Sequence, residues 1–281
     1  MSELLFQNII LQPKYIKGAQ GNLFSLFSLP KDKEQTIFLF LPSFAEELNR
    51  CRVMVAMQAR QLAAQGYGCV LLDYYGTGDS QGDFSENHWE QWEQDVDSVY
   101  QWLQTQGYHN IALWGLRLGA MLALSCAVKQ PERYSKVLLW QPVIDGSVFM
   151  TQFLRLRIAM LMDRGLKKET TQEMRAMLQA GSSIEVAGYE ITTQMVQSID
   201  AQKMLGYLIS DKLPIIDWFE VTMEEQGELP LASQRLLQTW ADKKINYRVH
   251  TYTGPFFWQL HERELTPLLI EKTLASLKLT G

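Results

Sequence analysis

Short, unbroken apolar runs alternate with longer stretches of helical spacing along most of the chain. The segment Thr36–Leu41 is such a run, and Cys69–Asp73, Ile111–Trp114 and Val137–Trp140 repeat it. A strand that is polar on neither face must be covered on both, as in a parallel sheet. Between the runs, apolar residues fall at helical spacing. Val53, Met57, Leu62 and Ala63 form one such series, and Trp89, Trp92, Val96, Val99 and Leu103 another. Gly66 and Gly107 follow them as helix stops. A third helix is predicted over Arg117–Gln130. The alternation predicts an α/β fold with a mostly parallel central sheet and helices on both faces. Ahead of it, Leu4–Leu11 and Asn22–Leu29 predict an antiparallel pair at the sheet edge.

The alternation stops after Asp145. Residues 147–212 are rich in Met, Gln and Arg and read as mostly helical, with a hairpin at Ile184–Thr192 around Gly188. They predict an inserted helical cap that offers adaptable apolar surface through Phe149, Phe153, Leu154, Met160, Met162, Met174 and Met177. A strand at Pro214–Val221, a helix at Ser233–Lys244, a strand at Tyr247–Tyr252 and a helix from Leu265 then resume the pattern. The expectation is one domain over residues 1–281, with the cap at about 147–212.

Composition narrows the function classes. With 47% hydrophobic and 20% charged residues, the chain can bury a core and is not of a disordered type. A net charge of −5 and the lack of a basic stripe argue against a nucleic-acid partner. No apolar run is long enough to span a bilayer, and the first residues lack a secretory pattern. Cys51, Cys69 and Cys126 are odd in number and sit within predicted elements, so they read as reduced packing residues. A cytoplasmic protein is expected. No metal and no organic cofactor are implied.

The chemistry concentrates where the third buried strand meets its helix. The segment Trp114-Gly115-Leu116-Arg117-Leu118-Gly119-Ala120 has the shape of the G-x-S-x-G nucleophile elbow. Arginine stands at the apex where serine is expected. A guanidinium offers no nucleophilic pair and cannot form an acyl-enzyme. Upstream, Asp73-Tyr-Tyr-Gly76-Thr-Gly78-Asp79-Ser80-Gln-Gly82 matches the glycine-rich loop that follows the preceding strand in many hydrolases.

These motifs resemble the α/β-hydrolase superfamily. Within it, Pro42-Ser43-Phe44-Ala45-Glu46-Glu47-Leu48-Asn49-Arg50, the Gly76–Ser80 loop and Trp114–Ala120 resemble a narrower group, the exosortase A system-associated hydrolases of the second type. The resemblance covers essentially the whole chain. It implies an α/β-hydrolase fold and an association with exopolysaccharide or protein-sorting pathway proteins. Fold alone does not establish activity.

The resemblance also assigns the remaining catalytic positions. The acid belongs after the Pro214–Val221 strand, where Asp217 and Glu220 are candidates, Glu220 lying nearer the strand end. The histidine belongs after the last strand, but Thr253-Gly254-Pro255-Phe256-Phe257-Trp258 occupies that turn. His261 follows a few residues later and reaches back only if the loop bends. His88, His109 and His250 read as packing or surface residues. An oxyanion hole built from backbone amides needs no particular side chain. Here it falls to Leu118 and Phe44, with Ser43 beside them.

An arginine at the start of a helix faces the positive end of the macrodipole and calls for a carboxylate. Glu46 and Glu47, on a loop expected to overhang the elbow, are candidates, with Asp79 and Glu220. Two uses follow. Arg117 can be a strut that fills an old active site, or its guanidinium and the amides can receive an anion. The cap, with Trp258, Phe257 and Trp218, can line a pocket for an acyl or lipid-like chain. The chain is therefore expected to be a ligand- or partner-binding relative of hydrolases. The alternative is an ester or thioester hydrolase in which Glu220 and His261 activate water beside the retained amides.

Overall fold

The computed structural model describes residues 11–224, 227–259 and 264–279. Eight strands form one sheet: β1 (Gln12–Lys17), β2 (Asn22–Ser28), β3 (Ile37–Leu41), β4 (Gly68–Leu72), β5 (Ile111–Leu116), β6 (Val137–Trp140), β9 (Ile216–Val221) and β10 (Tyr247–Tyr252), in the order β1-β2-β4-β3-β5-β6-β9-β10. The six strands from β4 to β10 run parallel, and β1 and β2 are antiparallel at one edge. The edge hairpin differs from expectation. Asn22–Ser28 pairs with Gln12–Lys17, and residues 4–10 lie outside the described residues. Lys14 and Lys17 kept the β1 signal weak, because an edge strand packs only part of one face.

Within the unbroken apolar strands, alternate residues enter opposite cores. Ile111 and Leu113 of β5 pack into one, Ala112, Trp114 and Leu116 into the other. The first core takes α2 (Trp89–Thr105) and α3 (Leu118–Lys129); the second takes α1 (Glu46–Ala64) and α8 (Pro267–Lys278). Every residue of α3 from Leu118 to Ala127 is buried, which explains its uniformly apolar sequence.

Between β6 and β9 lie α4 (Gly146–Asp163), α5 (Thr171–Gln179), a small hairpin of β7 (Ile184–Val186) and β8 (Tyr189–Ile191), and α6 (Thr193–Asp200). α7 (Leu231–Asp242) connects β9 to β10. Gly188, at φ 85°, sits in the hairpin turn beside Ala187 at φ 52°.

α1 begins seven residues before the first apolar residue that marks it in sequence, so Glu46 and Glu47 form its first turn and are not on an overhanging loop. Two carboxylates at a helix N-terminus are favoured by the macrodipole. Apolar periodicity cannot register such a start.

Candidate functional site

Two sharp turns converge at the carboxyl ends of β3 and β5. Arg117 has φ 56° and ψ −119° at the entry to α3. Ala45 has a nearly matching pair, φ 51° and ψ −128°, at the entry to α1. Such backbone costs about 1–3 kcal/mol per residue and persists only where the surroundings fix it. The glycines flanking Arg117 show the constraint. A Cβ on Gly119 would stand 2.2 Å from the Leu41 carbonyl oxygen, and one on Gly115 would stand 2.3 Å from the Gly119 carbonyl oxygen. The Arg117 amide donates to the Trp140 carbonyl at 3.0 Å, and the Arg117 carbonyl accepts from Val143 at 3.2 Å.

The Arg117 side chain runs back over the helix start to Glu47, with Nε to Oε1 at 3.3 Å. Its guanidinium carbon lies 5.2 Å from the centre of the Trp258 ring, a cation–π arrangement. The two charged side chains are 13% and 19% exposed, so water screens the pair only in part. Burial pushes the Glu47 carboxyl above its ordinary range, and the Arg117 charge and hydrogen bond pull it part of the way back. Glu47 Oε2 is buried and has no hydrogen-bond partner. A guanidinium has five N–H donors, and among the described residues only the one on Nε is used.

Glu46 turns the other way and bonds Asn49 at 3.1 Å and Tyr189 at 3.3 Å. Asp79 is not a counter-ion to Arg117. It is exposed, and its amide bonds Asp73 Oδ2 at 3.1 Å. Gly78 packs so closely on the Asp73 carboxylate that the loop folds back on its own strand. Ser80 serves that fold as well, donating to the Asp73 carbonyl at 2.6 Å and accepting from the Phe24 amide at 2.8 Å.

Glu220 is buried at the end of β9 and engaged on both oxygens. Trp218 Nε1 donates to one at 2.8 Å and Ser233 Oγ to the other at 2.8 Å. Burial raises its pKa, and these bonds and the Arg117 charge lower it in part. Trp218 is thus spent on Glu220 and on an edge-to-face contact with Trp240, and does not line the cleft. Asp217, three residues earlier on β9 and so on the opposite face of the sheet, belongs to a separate buried cluster. It receives Arg248 at 2.7 Å, His250 at 2.8 Å and Lys136 at 3.5 Å. His250 also stacks on Phe219. His88 pairs with Glu90 and His109 with Gln104. His261 lies outside the described residues; Gln259, two positions before it, lines the same cleft as Arg117.

That cleft has a volume of about 720 Å³. It is lined by the charged Arg117, Glu47 and Arg50, by Trp258, and by Phe149, Phe153, Leu156 and Met160 of α4, which supply an apolar wall. Phe257, Leu154 and Met174 are buried in the core instead, and Met162 and Met177 face outward. Arg50 was missed in the sequence. It bonds the Gln259 carbonyl at 2.7 Å and is one turn after Glu46 and Glu47, a spacing visible only once the helix start is known. Gln141, also missed, has φ 44° and bridges the Val221 amide at 2.8 Å and Glu220 Oε1 at 3.5 Å.

Ser43, Phe44, Leu118 and Gly119 line a small cavity of about 20 Å³ together, behind the elbow. Neither the Phe44 nor the Leu118 amide has an acceptor among the described residues. Ser43 is buried next to the Cys51 thiol. The described residues contain no cluster of metal-ligating side chains, and no described helix is long and apolar enough to cross a membrane.

The comparisons with known proteins bear on the fold and the family. The mitochondrial palmitoyl-protein thioesterase ABHD10 of Pongo abelii is 25% identical over 178 residues, 63% of this chain and 53% of that protein. The chain therefore spans about half the length of the curated relatives it matches. Est1E from Butyrivibrio proteoclasticus, solved with ferulic acid, superposes with a TM-score of 0.64 at 14% identity, covering 94% of this chain and 99% of that one. Mouse α/β-hydrolase domain-containing protein 10 gives 0.61 at 15% identity, covering 95% and 97%. These two likenesses show the α/β-hydrolase fold. The family model for serine aminopeptidase S33 matches residues 34–199, more than half of the 281, and the chain belongs to that family of α/β-hydrolases.

Proposed function

We propose that the chain binds an anionic acyl ligand in the cleft beside Arg117, and that it does so without forming an acyl-enzyme. One observation carries the reading. A guanidinium held by Glu47 and Trp258, with its remaining N–H donors unused among the described residues, lines a cleft that also has an apolar wall. Planar bidentate donation to a carboxylate or phosphate is what a guanidinium does best. The wall of Phe149, Phe153, Leu156 and Met160 suits an alkyl chain, and the volume is that of a small-molecule site. The curated relatives are named palmitoyl-protein thioesterases, which fits a long acyl group as the ligand's apolar part. The resemblance to exosortase-associated hydrolases extends the proposal to a cytoplasmic role beside exopolysaccharide or protein-sorting proteins.

The unbonded amides of Phe44 and Leu118 favour a second reading, ester or thioester hydrolysis by water. In that reading Glu220 is the acid or base, with His261.

Titration with a fluorescent long-chain fatty acid separates the two. Binding is expected for the wild type, with roughly a tenfold loss or more in Arg117→Met. The methyl ester of the same acid should bind both proteins alike. Neither a fluorophosphonate adduct nor turnover of short p-nitrophenyl esters is expected. Turnover abolished by Glu220→Gln or His261→Ala would establish the hydrolase reading instead.

A further inference from the structure

We propose that the tip of the cap, from the last turns of α4 into the turn before α5, docks on an anionic lipid bilayer. Leu156, Met162 and Leu166 are 49%, 56% and 53% exposed, and Ala159 is exposed between them. Arg155, Ala159 and Met162 follow one stripe of α4 at helical spacing, and Leu166 stands exposed in the turn just after the helix. Exposed apolar side chains at helical spacing, flanked by cations, are the pattern of a surface that enters the bilayer interface.

The cations are present. Arg155, Arg164, Lys167 and Lys168 are all exposed, and none forms an ion pair among the described residues. Arg157 lies in the same segment yet is tied inward, to Glu169 at 2.8 Å and to the Glu185 carbonyl at 2.8 Å. One arginine is therefore structural; the other four cations form no ion pair among the described residues, and Lys167 lies near enough to Glu169 and Glu173 to act on both electrostatically. Asp163 is the one carboxylate within residues 155–168, in a chain whose net charge is −5. A positive tip on a negative molecule orients it toward an anionic surface.

Basic residues near a helix C-terminus also answer the macrodipole. That accounts for Arg164 at the C-cap but not for two large apolar side chains held in water beside it. The turn that holds them is ordered. Gly165, at φ 64°, donates to the Met162 carbonyl at 3.1 Å, and Leu166 donates to the Leu161 carbonyl at 2.9 Å, which closes the helix and sets Leu166 outward.

Leu156, Ala159, Met160 and Asp163 also border the cleft, so the docked face would set the cleft mouth against the bilayer. The purpose of the docking, passing an acyl chain between membrane and cleft, rests on the proposed ligand; the docking itself does not.

Co-sedimentation of the full chain with vesicles tests it. Binding is expected to vesicles of phosphatidylcholine with phosphatidylglycerol, not to phosphatidylcholine alone, and should weaken as salt rises. Each tip cation contributes roughly fivefold to affinity near an anionic bilayer, so Arg164→Glu/Lys167→Glu/Lys168→Glu should lose roughly a hundredfold or more. Leu166→Asp should lose binding as well. Lys17→Glu/Lys31→Glu/Lys243→Glu changes the net charge equally on exposed residues elsewhere and should keep it. Tip variants should still bind free fatty acid in solution. The proposal is overturned if the wild type ignores anionic vesicles, or if the control triple variant loses as much as the tip variant. Vesicle binding that depends on the tip, in a protein that binds no fatty acid, would sink the ligand reading and leave the docking standing.

Discussion

Glu47→Gln and Arg117→Met should both destabilise the fold, but with different dependence on pH. Deleting one partner of a fully buried ion pair costs about 3–5 kcal/mol, and deleting one of an exposed pair about 0–1. The 13% and 19% exposure of the two side chains places them nearer the buried limit, with some relief from water in the cleft. A cost of about 2 kcal/mol follows. Unfolding entropy near 2 cal/mol/K per residue, taken over the whole chain, makes this a fall in Tm of roughly 3–4 °C. In Arg117→Met, Glu47 keeps its burial and loses the charge that now lowers its pKa. Its folded pKa rises further above the unfolded value. A carboxylate raised in this way gives full stability below the unfolded pKa and loses it as pH rises through the folded one. The deficit of Arg117→Met should therefore be small near pH 5 and largest near pH 8. Glu47→Gln removes the titrating carboxyl and leaves a guanidinium that stays charged throughout, so the variant lacks the loss that the raised Glu47 gives the wild type as pH rises, and its deficit should shrink from pH 5 to pH 8. Thermal unfolding by circular dichroism, at several pH values, gives both curves. Equal Tm for wild type and both variants at pH 8 would show that the pair is not a strut. A deficit of Arg117→Met that grows toward acid would refute the assignment of burial as the dominant cause.

Two further outcomes concern the scaffold. Gly119→Ala puts a methyl 2.2 Å from the Leu41 carbonyl, which only backbone movement can relieve. A loss above about 3 kcal/mol, seen as insoluble expression or a collapsed Tm, is expected, whereas Ala substitution at the open Gly107 C-cap should stay near 1 kcal/mol. Asp217→Asn should flatten the acid limb of the stability curve. Burial opposes ionisation of Asp217, but hydrogen bonds from His250 and Arg248 and the nearby Lys136 outweigh it and hold the pKa below its ordinary value. Its contribution is then present above the unfolded pKa and lost as pH falls through the folded one, below about pH 4. Urea titrations of wild type and variant that converge only at neutral pH would contradict this.

Much of the fold was legible in the chain because burial on both faces leaves an unmistakable trace. β3, β5 and β6 lie within one or two residues of their apolar runs. The Gly188 hairpin was visible from turn chemistry, and the break in alternation marked the helices that lie between β6 and β9. The β1 edge and the start of α1 were not, since edge strands and acidic first turns owe little to apolar periodicity.

The elbow is the clearest division between the two levels. The sequence by itself determined that Arg117 stands between two glycines at a strand-to-helix turn, because steric exclusion at those glycines is written in residue type. It also determined that a counter-charge was needed. Which carboxylate meets the arginine was decided only by tertiary structure. Four candidates were equivalent along the chain. The turn at Ala45 swings Glu47 across to the guanidinium, the glycine loop folds Asp79 away, and Trp218 and Ser233 occupy Glu220. Charge complementarity is a property of distance and burial, and those are set by how α1, β5 and β9 converge in space.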